Sequence, residues 1–216
     1  MRFDVDAVLF DIDGTLVDST PAVARTWETW SARNGLDPQE VLSVCHGRRA
    51  QDTVAMFLPP AERAAAEKEL LELELADMDG VVALPGVMKL LAALPPECWA
   101  AVTSGAGVLM RARLAAADLP APQVLVAAED VERGKPDPEG YQKAAAALDC
   151  EVNRCLVVED APAGVGAGHN AGAHVLAVTT SHSAEELCLA DAVVKNLDDC
   201  TVRLVEGTLQ VWPSGC

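Results

Sequence analysis

Short apolar runs that stop at polar residues recur along this chain. Ala7-Val8-Leu9-Phe10 stops at Asp11, Cys98-Trp99-Ala100-Ala101-Val102 at Thr103, and Cys155-Leu156-Val157-Val158 at Glu159. Further runs lie near 123–127, over His174–Val178 and over Asp191–Val194. Segments with helical spacing separate them. Such runs read as buried strands, and their alternation with helices predicts βαβ units, hence an α/β fold on a parallel sheet. In such sheets ligands bind beyond the carboxyl ends of the strands. Asp11 and Asp13, Thr103 and Ser104, the loop residue Lys135, and Glu159 and Asp160 all fall there. Groups far apart in sequence are therefore expected to share one face.

One long stretch breaks the alternation. Asp18, Ser19 and Thr20 are helix N-cap types, Pro21 suits a first helical turn, and Val23, Trp27 and Trp30 recur at helical spacing before Asn34-Gly35. A second helix is expected after Asp37-Pro38, and others over 50–58 and 61–77, the last rich in Ala, Glu and Leu. No strand is evident between 17 and 82. The expected organisation is an α/β core of 1–16 and 83–216 with a helical domain, 17–82, inserted into it. The weak alternation of Thr208-Leu209-Gln210-Val211-Trp212 predicts a short edge strand.

Composition narrows the partners. The formal charge is −17 over 216 residues. Nucleic acid and anionic membranes need basic surface, so neither is an expected partner. A small anionic substrate is compatible, because a local cluster of cations reverses the field inside one cleft. No apolar run approaches a membrane span, and the N-terminus lacks the charged and apolar regions of a signal peptide. The seven cysteines form no CxxC pair. A cytoplasmic protein with reduced cysteines is expected, as a monomer or weak dimer.

Asp11-Ile12-Asp13-Gly14-Thr15 holds two carboxylates that repel unless a shared proton or a divalent cation offsets them. A carboxylate that attacks phosphorus gives an acyl phosphate, itself labile to water, and Asp11 is the candidate nucleophile. Mg²⁺ prefers oxygen ligands. Asp11, the backbone carbonyl of Asp13 and Asp160 are its candidate ligands, with Glu159 close by as a direct or water-mediated one. The Asp13 side chain then remains for acid–base work. Lys135, the Thr103 hydroxyl and the Ser104 N–H are candidate donors to the phosphoryl oxygens. Gly164-Val165-Gly166-Ala167-Gly168 mimics a dinucleotide loop, but His169 stands where the last glycine or alanine is needed, so close helix–sheet packing is expected.

Asp11-Ile-Asp-Gly-Thr-Leu-Val-Asp-Ser, Val102-Thr-Ser-Gly, Gly134-Lys-Pro-Asp-Pro and Val158-Glu-Asp-Ala-Pro-Ala-Gly together resemble the four motifs of the haloacid dehalogenase-like hydrolase superfamily. The resemblance covers nearly the whole chain. It implies a Rossmann-like core with an inserted all-helical cap, Asp11 as nucleophile, Asp13 as acid–base, Asp160 as metal ligand, and Thr103 and Lys135 as phosphate binders. Asp13 points away from the dehalogenases, which lack it. Cys45-His-Gly-Arg-Arg, Leu84-Pro-Gly-Val and Val102-Thr-Ser-Gly are most similar to the sugar-phosphate and glycerol-phosphate phosphatases of that superfamily. The expected activity is Mg²⁺-dependent hydrolysis of a small phosphorylated sugar or polyol. A phosphoglycolate phosphatase and a β-phosphoglucomutase-like mutase are the alternatives. A mutase is expected to carry a histidine where this chain has Val23, and a non-catalytic regulator is disfavoured by the presence of Asp11, Asp13, Lys135 and Asp160. His46 and Arg48 are expected to face the cleft and contact substrate hydroxyls, with Gly80, Pro85 and Gly86 near a hinge.

Overall fold

A computed structural model of the chain describes residues 1–45 and 47–214. In chain order its elements begin with β1 (Phe3–Val5), β2 (Ala7–Phe10) and β3 (Val17–Asp18). Four helices follow: α1 (Thr20–Arg33), α2 (Pro38–Cys45), α3 (Ala50–Phe57) and α4 (Pro60–Ala76). The chain continues through β4 (Val82–Ala83), α5 (Val87–Ala92), β5 (Trp99–Val102), α6 (Gly107–Ala116), β6 (Val124–Val126), α7 (Glu139–Ala147), β7 (Cys155–Glu159) and α8 (Pro162–Ala171). It ends with β8 (His174–Val178), β9 (Ala192–Val194), β10 (Cys200–Val205) and β11 (Thr208–Pro213).

The main sheet has six strands in the order β6-β5-β2-β7-β8-β9, every neighbouring pair parallel. Its central strand, β2, pairs Phe10 with Ala101 on one side and with Val158 on the other. The residues that follow these strands therefore emerge at one level. Side chains alternate between two buried layers, as a strand's period of two requires. Val8 and Phe10 pack with Val87 and Leu90 of α5 and Leu109 and Leu114 of α6, while Ala7 and Leu9 pack with Tyr141 of α7 and Val165 of α8. With both faces covered, the strands are continuous apolar runs, and for that reason they stand out in the sequence.

Helices α1–α4 gather around their own apolar cluster, which includes Trp27, Trp30, Val41, Val54 and Leu70. Trp27 and Trp30 meet edge-on at 5.3 Å, and the Trp30 indole N–H donates to the Ala66 carbonyl at 2.9 Å. Two expectations are corrected here. The stretch between 17 and 82 is not free of strand, because β3 and β4 form an antiparallel pair where the chain enters and leaves the helical unit. At two residues each, these strands are too short to leave a periodic signal. The tail is also not an edge strand of the main sheet. β11 is the middle of a separate antiparallel sheet, β1-β11-β10, whose buried Phe3, Val5, Leu209 and Val211 join the layer under α5 and α6.

Candidate active site

The carboxyl ends of β2, β5 and β7 open onto one cavity of about 330 Å³. Asp11, Asp13, Thr103, Ser104, Lys135, Glu159 and Asp160 all line it. Each is delivered by a local backbone event. Asp11 leaves β2 with its N–H still bonded to the Val158 carbonyl at 3.0 Å. Gly14 then turns the chain at φ +86°, and a Cβ there would lie 2.1 Å from Asp160 Oδ2, so this turn requires glycine. Gly164, inside α8, is constrained by contact alone, since a Cβ there would sit 1.7 Å from Glu159 Oε1. Gly168 lies against Val157 and Val175, with a Cβ only 3.0 Å from each. Gly164 and Gly168 serve close packing of α8 on the sheet, as expected.

The floor of the cavity is a buried charge cluster. Lys135 Nζ donates to Asp11 Oδ1 at 2.5 Å, to Glu159 Oε1 at 2.6 Å and to the Val102 carbonyl at 3.1 Å. The Tyr141 hydroxyl donates to the same Glu159 oxygen at 2.8 Å, and the N–H groups of Asp160 and Ala161 donate to Glu159 Oε2 at 3.0 and 3.2 Å. Glu159 is thus engaged by protein donors on both oxygens. Asp160 accepts from the Ser181 hydroxyl through Oδ2 and from Thr15 through Oδ1.

Oxygens of Asp11, Glu159 and Asp160 lie within 4.8 Å of one another. Fully ionised, the three buried carboxylates here would exceed the one ammonium by two negative charges. Burial pushes the Asp160 carboxyl up to about 7, and the Glu159 charge adds to it against the Ser181 hydrogen bond. Burial likewise raises Asp11 well above its ordinary value, with Lys135 opposing and Glu159 and Asp160 reinforcing. Burial works against the Lys135 ammonium, but Asp11 and Glu159 outweigh it and hold its pKa high. Hard oxygen donors with two uncompensated charges fit a divalent cation, Mg²⁺ included.

The Asp13 side chain lines the same cavity with other partners. Its Oδ1 accepts from the Ser19 hydroxyl at 2.6 Å and its Oδ2 from Arg113 at 2.6 Å. Ser19, read from sequence as a cap for α1, makes no side-chain cap bond, and Asp18 accepts the Thr20 N–H instead. Thr103 Oγ1 accepts the Gly105 N–H, while the Ser104 hydroxyl donates to the Gly47 carbonyl of the helical unit. Arg48 is exposed on the cavity wall, which Val23 also lines. His46 lies outside the described residues. Arg49, its neighbour, is buried: it grips Asp52 and donates to the Val131 and Glu132 carbonyls. The sequence does not mark Arg113, Tyr141 and Ser181, and it marks Ser19 only as a helix cap. A signal for Arg113 existed, since it falls on the stripe of Leu109, Met110 and Leu114, where an arginine needs a buried partner.

Residues 5–172 match the family described as haloacid dehalogenase-like hydrolase. The chain belongs to this family. Among its relatives, hexitol phosphatase A of Escherichia coli (strain K12) is 46% identical over 199 residues, covering 90% of this chain and 92% of that protein. Glycerol-1-phosphate phosphohydrolase 2 of Saccharomyces cerevisiae is 34% identical over 218 residues, covering 94% and 86%. The crystal structure of a hydrolase from Pseudomonas syringae superposes with a TM-score of 0.79 at 22% identity, covering 88% of this chain and 94% of that one, a likeness of fold. No helix among the described residues is long and apolar enough to cross a membrane.

Proposed function

We propose that this haloacid dehalogenase-like hydrolase is a Mg²⁺-dependent phosphatase of small phosphorylated sugars or polyols, working through a phosphoryl group carried on Asp11. The observation that carries the reading is the meeting of Asp11 and Asp13, Lys135, and Asp160, from three separate segments, at one cavity. Its volume of about 330 Å³ suits a small metabolite. The relatives at 46% and 34% identity are named for hexitol and glycerol-1-phosphate chemistry, which supports the substrate class.

Asp11, Asp160 and the Asp13 carbonyl would hold the cation, which when bound would screen the carboxylates from the incoming phosphate and draw charge from its oxygens. An Asp11 oxygen attacks phosphorus and the ester P–O bond breaks. The Asp13 carboxyl gives its proton to the departing alkoxide, then takes one from the water that attacks the acyl phosphate. Inorganic phosphate leaves and Asp11 is restored. Lys135 offsets the Asp11 charge as the phosphate dianion approaches. Glu159, engaged on both oxygens, orients Lys135. The Thr103 hydroxyl and the Ser104 N–H receive the phosphoryl oxygens, and Arg48 reads substrate hydroxyls. Helices α1–α4 act as the cap that shields the acyl phosphate from premature water.

Hydrolysis of p-nitrophenyl phosphate with Mg²⁺ and after EDTA, followed by a panel of hexitol phosphates, glycerol phosphate and phosphoglycolate, tests the reading. Turnover that EDTA abolishes, with preference for a polyol or sugar phosphate, is expected. Metal-independent turnover, or phosphoglycolate as the preferred substrate, contradicts it.

A further inference from the structure

Arg113 ties Asp13 to the helical unit. Its side chain is only 5% exposed, and its two terminal nitrogens part company: one donates to Asp13 Oδ2 at 2.6 Å, the other to Glu74 Oε1 at 3.1 Å. With Ser19 on Oδ1, both oxygens of Asp13 are held and its plane is fixed. Glu74 is an unusual anchor. It stands in the last turn of α4, where the helix dipole disfavours an acid, and it is largely buried. Buried ion pairs add little net stability, because desolvation offsets attraction. What the Glu74–Arg113 pair does supply is direction. A guanidinium is a planar fork, so a partner at one tine sets the bearing of the other.

We propose that Glu74 and Arg113 form a positioning relay for Asp13: Glu74 orients the guanidinium, and the guanidinium aims the carboxyl that protonates the leaving group. Both residues line the cavity, and the role proposed for each runs through Asp13. The inference rests on the acid–base reading of Asp13 given above. It has a consequence that a structural role lacks. Help from a general acid matters in proportion to the basicity of the leaving oxygen. An alkoxide needs the proton, whereas p-nitrophenolate leaves without it.

The test measures kcat/KM, which reports the steps through departure of the alcohol, for wild type, Glu74→Leu, which removes the acceptor, and Arg113→Lys. The probes are p-nitrophenyl, ethyl and glycerol phosphates at saturating Mg²⁺. Each variant is expected to lose about 10-fold or more on ethyl and glycerol phosphates alike, and less than about 3-fold on p-nitrophenyl phosphate. Equal losses on all three esters overturn the relay as a general structural effect. A loss on glycerol phosphate alone overturns it in favour of direct contact with substrate hydroxyls, which ethyl phosphate lacks. No loss on any ester also overturns it. Arg113→Lys keeps the charge but cannot span two carboxylates, so either variant that folds, judged by its unfolding midpoint, decides the matter. A wild-type protein inactive on every ester overturns the phosphatase reading and the relay with it.

Discussion

Lys135 Nζ lies 2.5 Å from Asp11 Oδ1, a contact that spans 124 positions of sequence and joins a loop to the end of the central strand. The ammonium is shared with Glu159 at 2.6 Å. Lys135→Met keeps most of the side-chain volume and removes this charge, leaving three buried carboxylates in mutual repulsion. A stability loss of about 3–5 kcal/mol in urea unfolding is expected, with kcat/KM down by about 100-fold or more. A variant as stable and as active as wild type would show that the pair is incidental.

Glu74 makes folding stability depend on pH. Burial pushes its carboxyl up to about 7, with Arg113 opposing and Asp13 adding to the rise, from an ordinary value of 4.5. The folded state therefore binds this proton more tightly than the unfolded chain. The resulting stability is full at low pH and is lost as pH rises through about 7. Glu74→Gln cannot ionise and lacks this slope. Between about pH 5 and about pH 8, wild type should lose roughly 1–3 kcal/mol relative to the variant in urea unfolding. A difference that stays constant with pH would refute the assignment.

The glycines of α8 separate two kinds of constraint. At Gly164 an added methyl would meet the Glu159 carboxylate at 1.7 Å, whereas at Gly166 the nearest atom is Pro136 Cβ at 3.4 Å. Gly164→Ala should destabilise by about 1–3 kcal/mol and lower activity by displacing Glu159 from Lys135. Gly166→Ala should be neutral or stabilising by up to about 1 kcal/mol, since alanine favours the helix. Thermal unfolding of the two proteins checks this, and the opposite ranking would contradict it.

The parallel sheet was legible because strands buried on both faces are unbroken apolar runs, and the residues of the candidate site stand out because they follow those runs directly. Asp11, Thr103 and Glu159 each stand immediately after or at the end of a strand. What escaped was set by tertiary contact. The β3–β4 pair and the place of β1 beside β11 rest on a handful of residues with no period to read. Ser19 carries the signature of a helix cap, yet its hydroxyl is drawn to Asp13 by an approach no local pattern encodes. Glu159 reads as a possible ligand from its neighbour Asp160, and only the donors around it, Lys135, Tyr141 and two backbone N–H groups, show both its oxygens engaged.

The central claim is that Asp11 attacks phosphorus. Rapid quenching of turnover with Mg²⁺ and a good phosphate ester, reduction with borohydride and peptide mass spectrometry read it most directly, because an acyl phosphate is reduced where a free carboxylate is not. Homoserine at position 11 is predicted in the wild type, and none in Asp11→Asn or without divalent metal. Turnover that proceeds with Asp11 unmodified throughout, or with homoserine at another aspartate, would contradict the account.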